Sequence, residues 1–510
     1  MRLDYLLNGQ QILEHRGNTD IEISGITADS RKVKDGYLFV AVKGSSEDGH
    51  RYLADAVQKG ARVLVVQDAE TGLTGATVVR LPDTRSAFFD LAERFYDYPA
   101  RHMDLIGITG TNGKTTTSYL LEAILKEAGK EVGVIGTINY RFKGNSFEAS
   151  LTTPDPIDLM RLMREMRDAG VTHVIVEVSS HSLDQGRTQG LAWSRAIFTS
   201  FSRDHLDYHS TMEEYFRAKS LLFDSLKENQ HNGQVRAILN MDDPKGQALE
   251  RMTKVPVVSY GLENRCHVRA ADIDSTLQGL RFRLVTSEGE GVVTSPLLGR
   301  INVYNMLAAA ATALTYGIEL KTIVGGIQGL SSVPGRLERV QNKRGLCILI
   351  DYAHTPDALE KALQTVRELT EARLITVFGC GGDRDRGKRR HMGRIAGDYS
   401  DLVIITSDNP RGEDPEHIVS EIEPGVREAG LDAIDPDSPY TNRGYRIIVD
   451  RKKAIRDAVD VADKGDIVLI AGKGHENYQI IGKKKRYFND AEEAALAASV
   501  RSRKKLVKMR

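Results

Sequence analysis

A short apolar run, residues 105–109, leads straight into Gly110-Thr111-Asn112-Gly113-Lys114-Thr115-Thr116-Thr117. A stretch with apolar residues at three- and four-residue spacing follows and stops at Gly129. Strand, glycine turn and amphipathic helix in that order constrain the chain more than any other feature, because such a unit belongs in a parallel sheet. Glycines let backbone N–H groups close around phosphate oxygens, and the helix N-terminus adds a favourable dipole. Lys114 can reach the β- and γ-phosphates, and Thr115 can place its hydroxyl on Mg²⁺. The strict phosphate-loop pattern wants glycine at 108, where this chain has Ile108; Gly107 and Gly110 flank it.

The same rhythm extends along the chain. At ~150 residues per domain, 510 residues predict about three domains. Residues 1–100 read as a small α/β domain with strands at 36–42 and 62–66, and residues 95–104, polar and aromatic with Pro99, read as a linker. Residues 101–335 read as a central parallel-sheet domain of the phosphate-loop ATPase kind. Residues 336–510 carry four short apolar strands separated by helical patterns, a doubly wound, Rossmann-like arrangement.

Composition removes several function classes. The chain is 41% hydrophobic and 27% charged, which excludes wholesale disorder. Lys plus Arg and Asp plus Glu both number 70, so nothing marks a nucleic-acid partner. No apolar run approaches the ~20 residues of a membrane span, and the N-terminus lacks a signal-peptide layout. Three scattered cysteines, Cys266, Cys347 and Cys380, fit a reducing cytoplasm and exclude a disulfide framework. The basic tail at 501–510 reads as a solvated end.

Further residues carry chemistry. Glu177 ends a buried-type strand, where it reads equally as a Mg²⁺ ligand beside Thr115 or as an exposed charge. Asp204, His205, Asp207 and His209 fall within six residues, suiting a metal or phosphate site or simply a shared helix face. Lys219, on an amphipathic pattern, reads as a solvated lysine. In the last block, residues 378–390 mix glycines with Arg384, Arg386, Lys388, Arg389 and Arg390, a composition suited to an anion. Cys380 has no identifiable base and makes a poor nucleophile. Arg411, in a Pro-fixed turn at 407–415, can offer a fork to a carboxylate. Gly472, Gly474 and Glu476 follow another strand, and Glu476 can bind an ammonium. Three such loops at strand ends predict a ligand pocket.

The ordered set ADSR, GTNGKTTT, TTPDP, EVSSHSLDQGR, FSRDHLDYH, GRINVYNMLAA, PGRLE, DYAHTPDAL, GCGGDRDRGKR, DNPR and GKGHE closely resembles the Mur ligases, ATP-dependent amide-forming enzymes of peptidoglycan synthesis. The resemblance covers essentially the whole chain. It implies three domains that bind, in turn, the UDP end of the substrate, ATP and the incoming amino acid. DNPR is similar to the motif of members that add meso-diaminopimelate to UDP-N-acetylmuramoyl-L-alanyl-D-glutamate, with ATP and Mg²⁺, through an acyl phosphate. A cytoplasmic monomer serving cell-wall synthesis, cell shape and division is the implied setting. Carried over residue by residue, Gly110, Thr111, Asn112, Gly113, Lys114, Thr115 and Thr116 bind ATP, and Lys114, Glu177, His205 and Lys219 are catalytic. Thr115, Glu177, His205 and Lys219 hold Mg²⁺, Lys219 as its carbamate, which reverses the solvated reading. Ser30, Thr152, Thr153, Ser179, Gln185 and Arg187 bind the UDP-muramoyl-dipeptide. By the same carry-over, Asn302, Asn305 and Arg336 lie on the nucleotide's far side. Arg384, Asp408, Asn409, Pro410, Arg411, Gly472 and Glu476 bind diaminopimelate.

Rival readings are a relative that adds L-lysine, folylpolyglutamate synthetase, and a phosphate-loop kinase or regulatory NTPase. Arg411 stands against lysine, whose use would leave the guanidinium unpaired in a desolvated pocket at about 1–3 kcal/mol. The ADSR-bearing first domain stands against the second, and the three-loop last domain against the third.

Overall fold

In the computed structural model, residues 1–44, 47–68, 74–226, 234–263, 265–435 and 443–499 are described; the basic tail at 501–510 lies outside them. The chain forms two units: residues 1–110, 125–199 and 211–259 in the first, and 111–124, 200–210 and 260–510 in the second.

The first unit opens with a five-stranded sheet ordered Glu14–Arg16, Thr77–Arg80, Ala61–Val66, Tyr37–Val40, Gly25–Thr27. Only the Glu14–Arg16 edge is antiparallel. Leu38, Val40, Val63 and Val65 pack on one face, and Phe39, Leu64 and Val66 on the other, as a two-residue period requires. The stretch read as a linker is ordered: Pro99–His102 is a 3₁₀ turn with Pro99 and Ala100 buried. Apolar residues within a polar sequence, invisible to composition, account for the difference.

Next come five parallel strands, Arg236–Asn240, Trp193–Phe198, Asp104–Thr109, His173–Glu177 and Val132–Ile135, with the antiparallel Asn139–Phe142 and Asn145–Glu148 added at one edge. The central strands are buried on both faces, hence the apolar stretches 105–108, 174–176 and 196–198. Gly107 has no Cβ because one would lie 2.9 Å from Leu222 and 3.2 Å from Trp193.

The second unit holds the antiparallel run Val268–Thr276, Gly279–Thr286, Gly289–Ser295 and a seven-stranded sheet. The sheet order is Glu338–Arg339, Cys347–Asp351, Ile467–Ala471, Leu374–Phe378, Leu402–Ile405, Gly444–Ile447, Asp432–Ala433. Gly444–Ile447 escaped the sequence reading because only Tyr445 and Ile447 mark it as apolar. Ile467–Ala471 inserts between Cys347–Asp351 and Leu374–Phe378, which makes a switch point at the strands' C-terminal ends. Helices cover both faces, Pro356–Glu368, Lys388–Tyr399 and Pro415–Glu428 on one, Arg451–Val461 and Asp490–Ser499 on the other. The helices Pro156–Asp168, Pro244–Met252, Pro356–Glu368 and Pro415–Glu428 start alike, with an Asp or Thr cap and proline at the first position, worth about 1 kcal/mol each.

Among the described residues of this block, one ion pair is fully buried. Arg451 meets Asp490 at 2.6 Å, and the same guanidinium donates to the Ala471 carbonyl at 3.0 Å and the Ser407 carbonyl at 3.4 Å. It therefore ties together the ends of two strands whose loops matter below. Arg451→Ala strands Asp490 in the core and should cost about 3–5 kcal/mol, whereas Arg451→Met with Asp490→Leu should recover most of that loss. Scanning calorimetry of the three proteins checks both outcomes.

Candidate active site

The phosphate loop keeps the conformation its glycines permit, with Gly113 at φ +87°, where a side chain would be strained. Lys114 Nζ folds back to the Thr111 carbonyl at 3.0 Å. Thr115 and Thr116 are buried in the first turn of the helix Lys114–Glu127, and Thr115 Oγ1 accepts from Arg336 Nη2 at 3.3 Å. Asn302 and Asn305 lie on the helix Ile301–Leu314. They are buried and linked to each other, and Thr117 Oγ1 donates to Asn305 Oδ1 at 3.4 Å. A second brace comes from Asp357, whose Oδ2 accepts from Asn112 Nδ2 at 3.3 Å, Ser202 Oγ at 3.0 Å and Lys361 Nζ at 2.8 Å. Sequence reasoning missed Asp357, because an acid in a helix's first turn reads as a cap.

In the first unit, Glu177 is fully buried, which removes the exposed-charge reading. Its Oε1 accepts the Thr137 N–H at 3.2 Å and its Oε2 the Thr137 hydroxyl at 2.8 Å. Gly136 makes this possible, since a Cβ there would meet Oε1 at 2.2 Å. Thr152 Oγ1 lies 3.2 Å from Thr137 Oγ1. Thr153 Oγ1 donates to the Glu177 carbonyl at 2.8 Å and accepts the Ser179 N–H at 3.1 Å. Arg187 donates to the Thr153 carbonyl at 3.0 Å and to Gln185 Oε1 at 2.5 Å. Five residues predicted to share a ligand are thus one hydrogen-bonded group with Glu177. Ser30 is buried in the Ser30–Lys32 turn, and Lys32 Nζ reaches Asp158 at 3.4 Å, in the helix that follows Thr152 and Thr153.

Lys219 is the clearest correction to bottom-up reading. It is buried, its Nζ donates to the Gly110 carbonyl at 2.9 Å, and it lies 4.5 Å from the Tyr215 ring centroid. His205, in the second unit, is half-exposed at φ +54°, a strained value for a non-glycine residue. In the first unit the Glu177 carboxylate, and in the second the Thr115 hydroxyl, are each oxygen donors of the kind a hard cation such as Mg²⁺ takes. Lys219 suits one only if its amine becomes an oxygen donor.

The three strand-end loops of the seven-stranded sheet do meet. Asn409 Nδ2 donates to Glu476 Oε2 at 2.9 Å, and Arg411 Nη1 to the Gly382 carbonyl at 2.8 Å. Gly381 leaves room for that guanidinium, since a Cβ would stand 2.8 Å from Arg411 Nη1 and push it aside. Asp408, Asn409 and Pro410 are buried, and Gly472 sits beside Asp408. Arg384 is exposed. The wider cation cluster is not available to an anion: Arg389 is buried between Glu413 and Glu421, Arg386 also pairs with Glu413, Arg390 with Glu428, and Lys388 donates to the His354 carbonyl. Arg389 holds the Glu413 carboxyl down at about 2. Burial pushes the Cys380 thiol up to about 12, so it is no nucleophile.

An aromatic wall adjoins Arg336. Tyr352 packs on His354 and His475 at 4.5 and 4.8 Å between centroids, with Arg336 5.1 Å from its ring. Asp351 takes the Leu337 and Ala353 N–H groups at 2.8 and 2.9 Å, and burial raises its carboxyl. Burial, then the nearby Arg336, pushes His475 down to about 4, and burial lowers His354 too.

Three family descriptions match in chain order: "Mur ligase family, catalytic domain" over residues 22–96, "Mur ligase middle domain" over 108–313, and "Mur ligase, glutamate ligase domain" over 335–474. The UDP-N-acetylmuramoyl-L-alanyl-D-glutamate--2,6-diaminopimelate ligase of Geobacter metallireducens is 46% identical over 501 residues, 98% of each chain. The ligase of the same name from Geobacillus kaustophilus is 44% identical over 96% of this chain and 97% of its own. A solved structure bearing that enzyme name is similar at a TM-score of 0.67 and 33% identity, covering 98% of both chains.

Because burial favours the neutral His475 imidazole in the fold, its contribution is complete above about pH 6.5, the ordinary value, and is lost as pH falls through about 4. His475→Gln should flatten the decline in melting temperature between those limits, which calorimetry across that pH range checks.

Proposed function

The chain belongs to the Mur ligase family, and on that premise we propose that it joins meso-diaminopimelate to UDP-N-acetylmuramoyl-L-alanyl-D-glutamate at the expense of ATP. The observation that carries the choice of amino acid is the meeting of Asp408–Glu476 chemistry with Arg411 in one loop cluster. A substrate with ammonium and carboxylate at its far end satisfies both; lysine brings only the ammonium and leaves Arg411 unanswered. Arg384, Asn409, Pro410 and Gly472 complete that subsite. Ser30, Thr152, Thr153, Ser179, Gln185 and Arg187 receive the UDP-muramoyl-dipeptide.

The glutamyl carboxylate oxygen attacks the γ-phosphorus of ATP, ADP leaves, and an acyl phosphate forms. The amine then attacks the acyl carbon, loses a proton, and the tetrahedral intermediate expels inorganic phosphate as the amide forms. Residues Gly110 to Thr116 cradle the ATP phosphates, and Lys114 turns from the Thr111 carbonyl to the transferring group, whose charge it offsets. Glu177 and, as its CO₂ adduct, Lys219 would offer Mg²⁺ carboxylate oxygens in the first unit; in the second unit Thr115 would offer a hydroxyl oxygen and His205 a ring nitrogen. When bound, Mg²⁺ neutralises phosphate charge. Carbamylation also converts a buried cation into an anion, which matches the role. The enzyme works as a cytoplasmic monomer without nucleic acid.

Phosphate release, followed with the UDP-muramoyl-dipeptide, ATP and Mg²⁺, should require meso-diaminopimelate and fail with L-lysine or no amine. Release with lysine alone would overturn the choice of amino acid, and amine-independent release the ligase itself. Arg411→Ala should raise the KM for diaminopimelate about tenfold or more. Lys219→Ala should lower kcat about a hundredfold or more, and labelled bicarbonate should give a carbamate resonance in the native protein that this variant lacks.

A further inference from the structure

Lys473 takes no part in the reaction as derived, yet its ammonium is completely buried. A buried ammonium persists only where acceptors and opposite charge surround it. Lys473 Nζ lies 3.0 Å from Glu476 Oε2, 3.3 Å from Asn409 Oδ1 and 3.7 Å from Asp408 Oδ1. Glu476 Oε2 is shared, because it also accepts from Asn409 Nδ2 at 2.9 Å. Asn409 Oδ1 is shared too, because it accepts the Ile480 N–H at 2.9 Å. One ammonium therefore fixes the Glu476 rotamer and the direction of the Asn409 amide together. Asp408 differs. Its Oδ1 is buried, stands beyond hydrogen-bond reach of Lys473 and has no hydrogen-bond partner among the described residues.

We propose that Lys473 is the positioning and charge-balancing residue of the diamino-acid subsite: it orients Glu476 and Asn409, and it offsets one of the two carboxylates so that the cluster is matched to a single substrate ammonium. Without it, Asp408 and Glu476 would repel in a desolvated pocket, Glu476 would turn away, and the Asn409 amide would be left with the Ile480 N–H alone on its oxygen. With it, Asp408 stays in place beside Gly472, where a Cβ would stand 3.6 Å from Asp408 Oδ2. The inference rests on reading this loop cluster as the diaminopimelate site.

The test separates substrates. In Lys473→Met, the KM for meso-diaminopimelate should rise about tenfold or more, while the KM for ATP and the Kd for ADP measured by titration calorimetry stay within about twofold of native. Lys473→Gln keeps a donor for Glu476 and removes the charge; it should fall between native and Met, and it carries the same test if Lys473→Met fails to fold. A folded variant with a native diaminopimelate KM, or one in which both KM values rise together, overturns the proposal. Native protein that releases no phosphate with diaminopimelate overturns the underlying reading instead, and that control is run first.

Discussion

Parallel strands deliver the loops that follow them to one edge of the sheet, and the chemistry of this chain depends on that constraint twice. In the first unit, Glu177 pairs in register with Ile108, so the buried carboxylate reaches the same edge at which the phosphate loop begins. In the second, Phe378, Ile405 and Ala471 end side by side, and the turns that leave them hold Arg411, Asn409 and Glu476. Backbone pairing thus sets positions to within a few ångströms, and side chains adjust the remainder.

The adjustment is made with buried charge. Lys219, Arg389, Arg451 and Lys473 are all within the fully buried set, and each faces carbonyls or carboxylates. Such groups contribute less to net stability than apolar residues of equal volume, because desolvation offsets much of the attraction. What they contribute is direction. Arg451 holds two strand ends, Arg389 fixes Glu413, and neither could move without leaving a charge unanswered.

Much of this was legible in the sequence where local chemistry and local order coincide. The phosphate loop showed itself because glycines, Lys114 and the helix pattern are contiguous, and the helix starts because caps and prolines are adjacent. Glu177 was ambiguous, since the residue that buries it, Thr137, lies forty positions away. Lys219 read as solvated because its partner, the Gly110 carbonyl, comes from another strand's end. The arginines at 386–390 read as an anion site because the glutamates that claim them, Glu413, Glu421 and Glu428, lie beyond the next strand. Wherever a charge is answered at long range, composition shows the charge and hides the answer.

The room that Gly107 leaves for Trp193 has a spectroscopic consequence. The chain contains one tryptophan. That indole is buried against the strand leading into the phosphate loop. Its emission is therefore a private signal of the first unit's parallel sheet. Intrinsic fluorescence would follow that sheet through unfolding with no background from other indoles, and would say nothing directly about the seven-stranded sheet, whose events need a second, introduced probe.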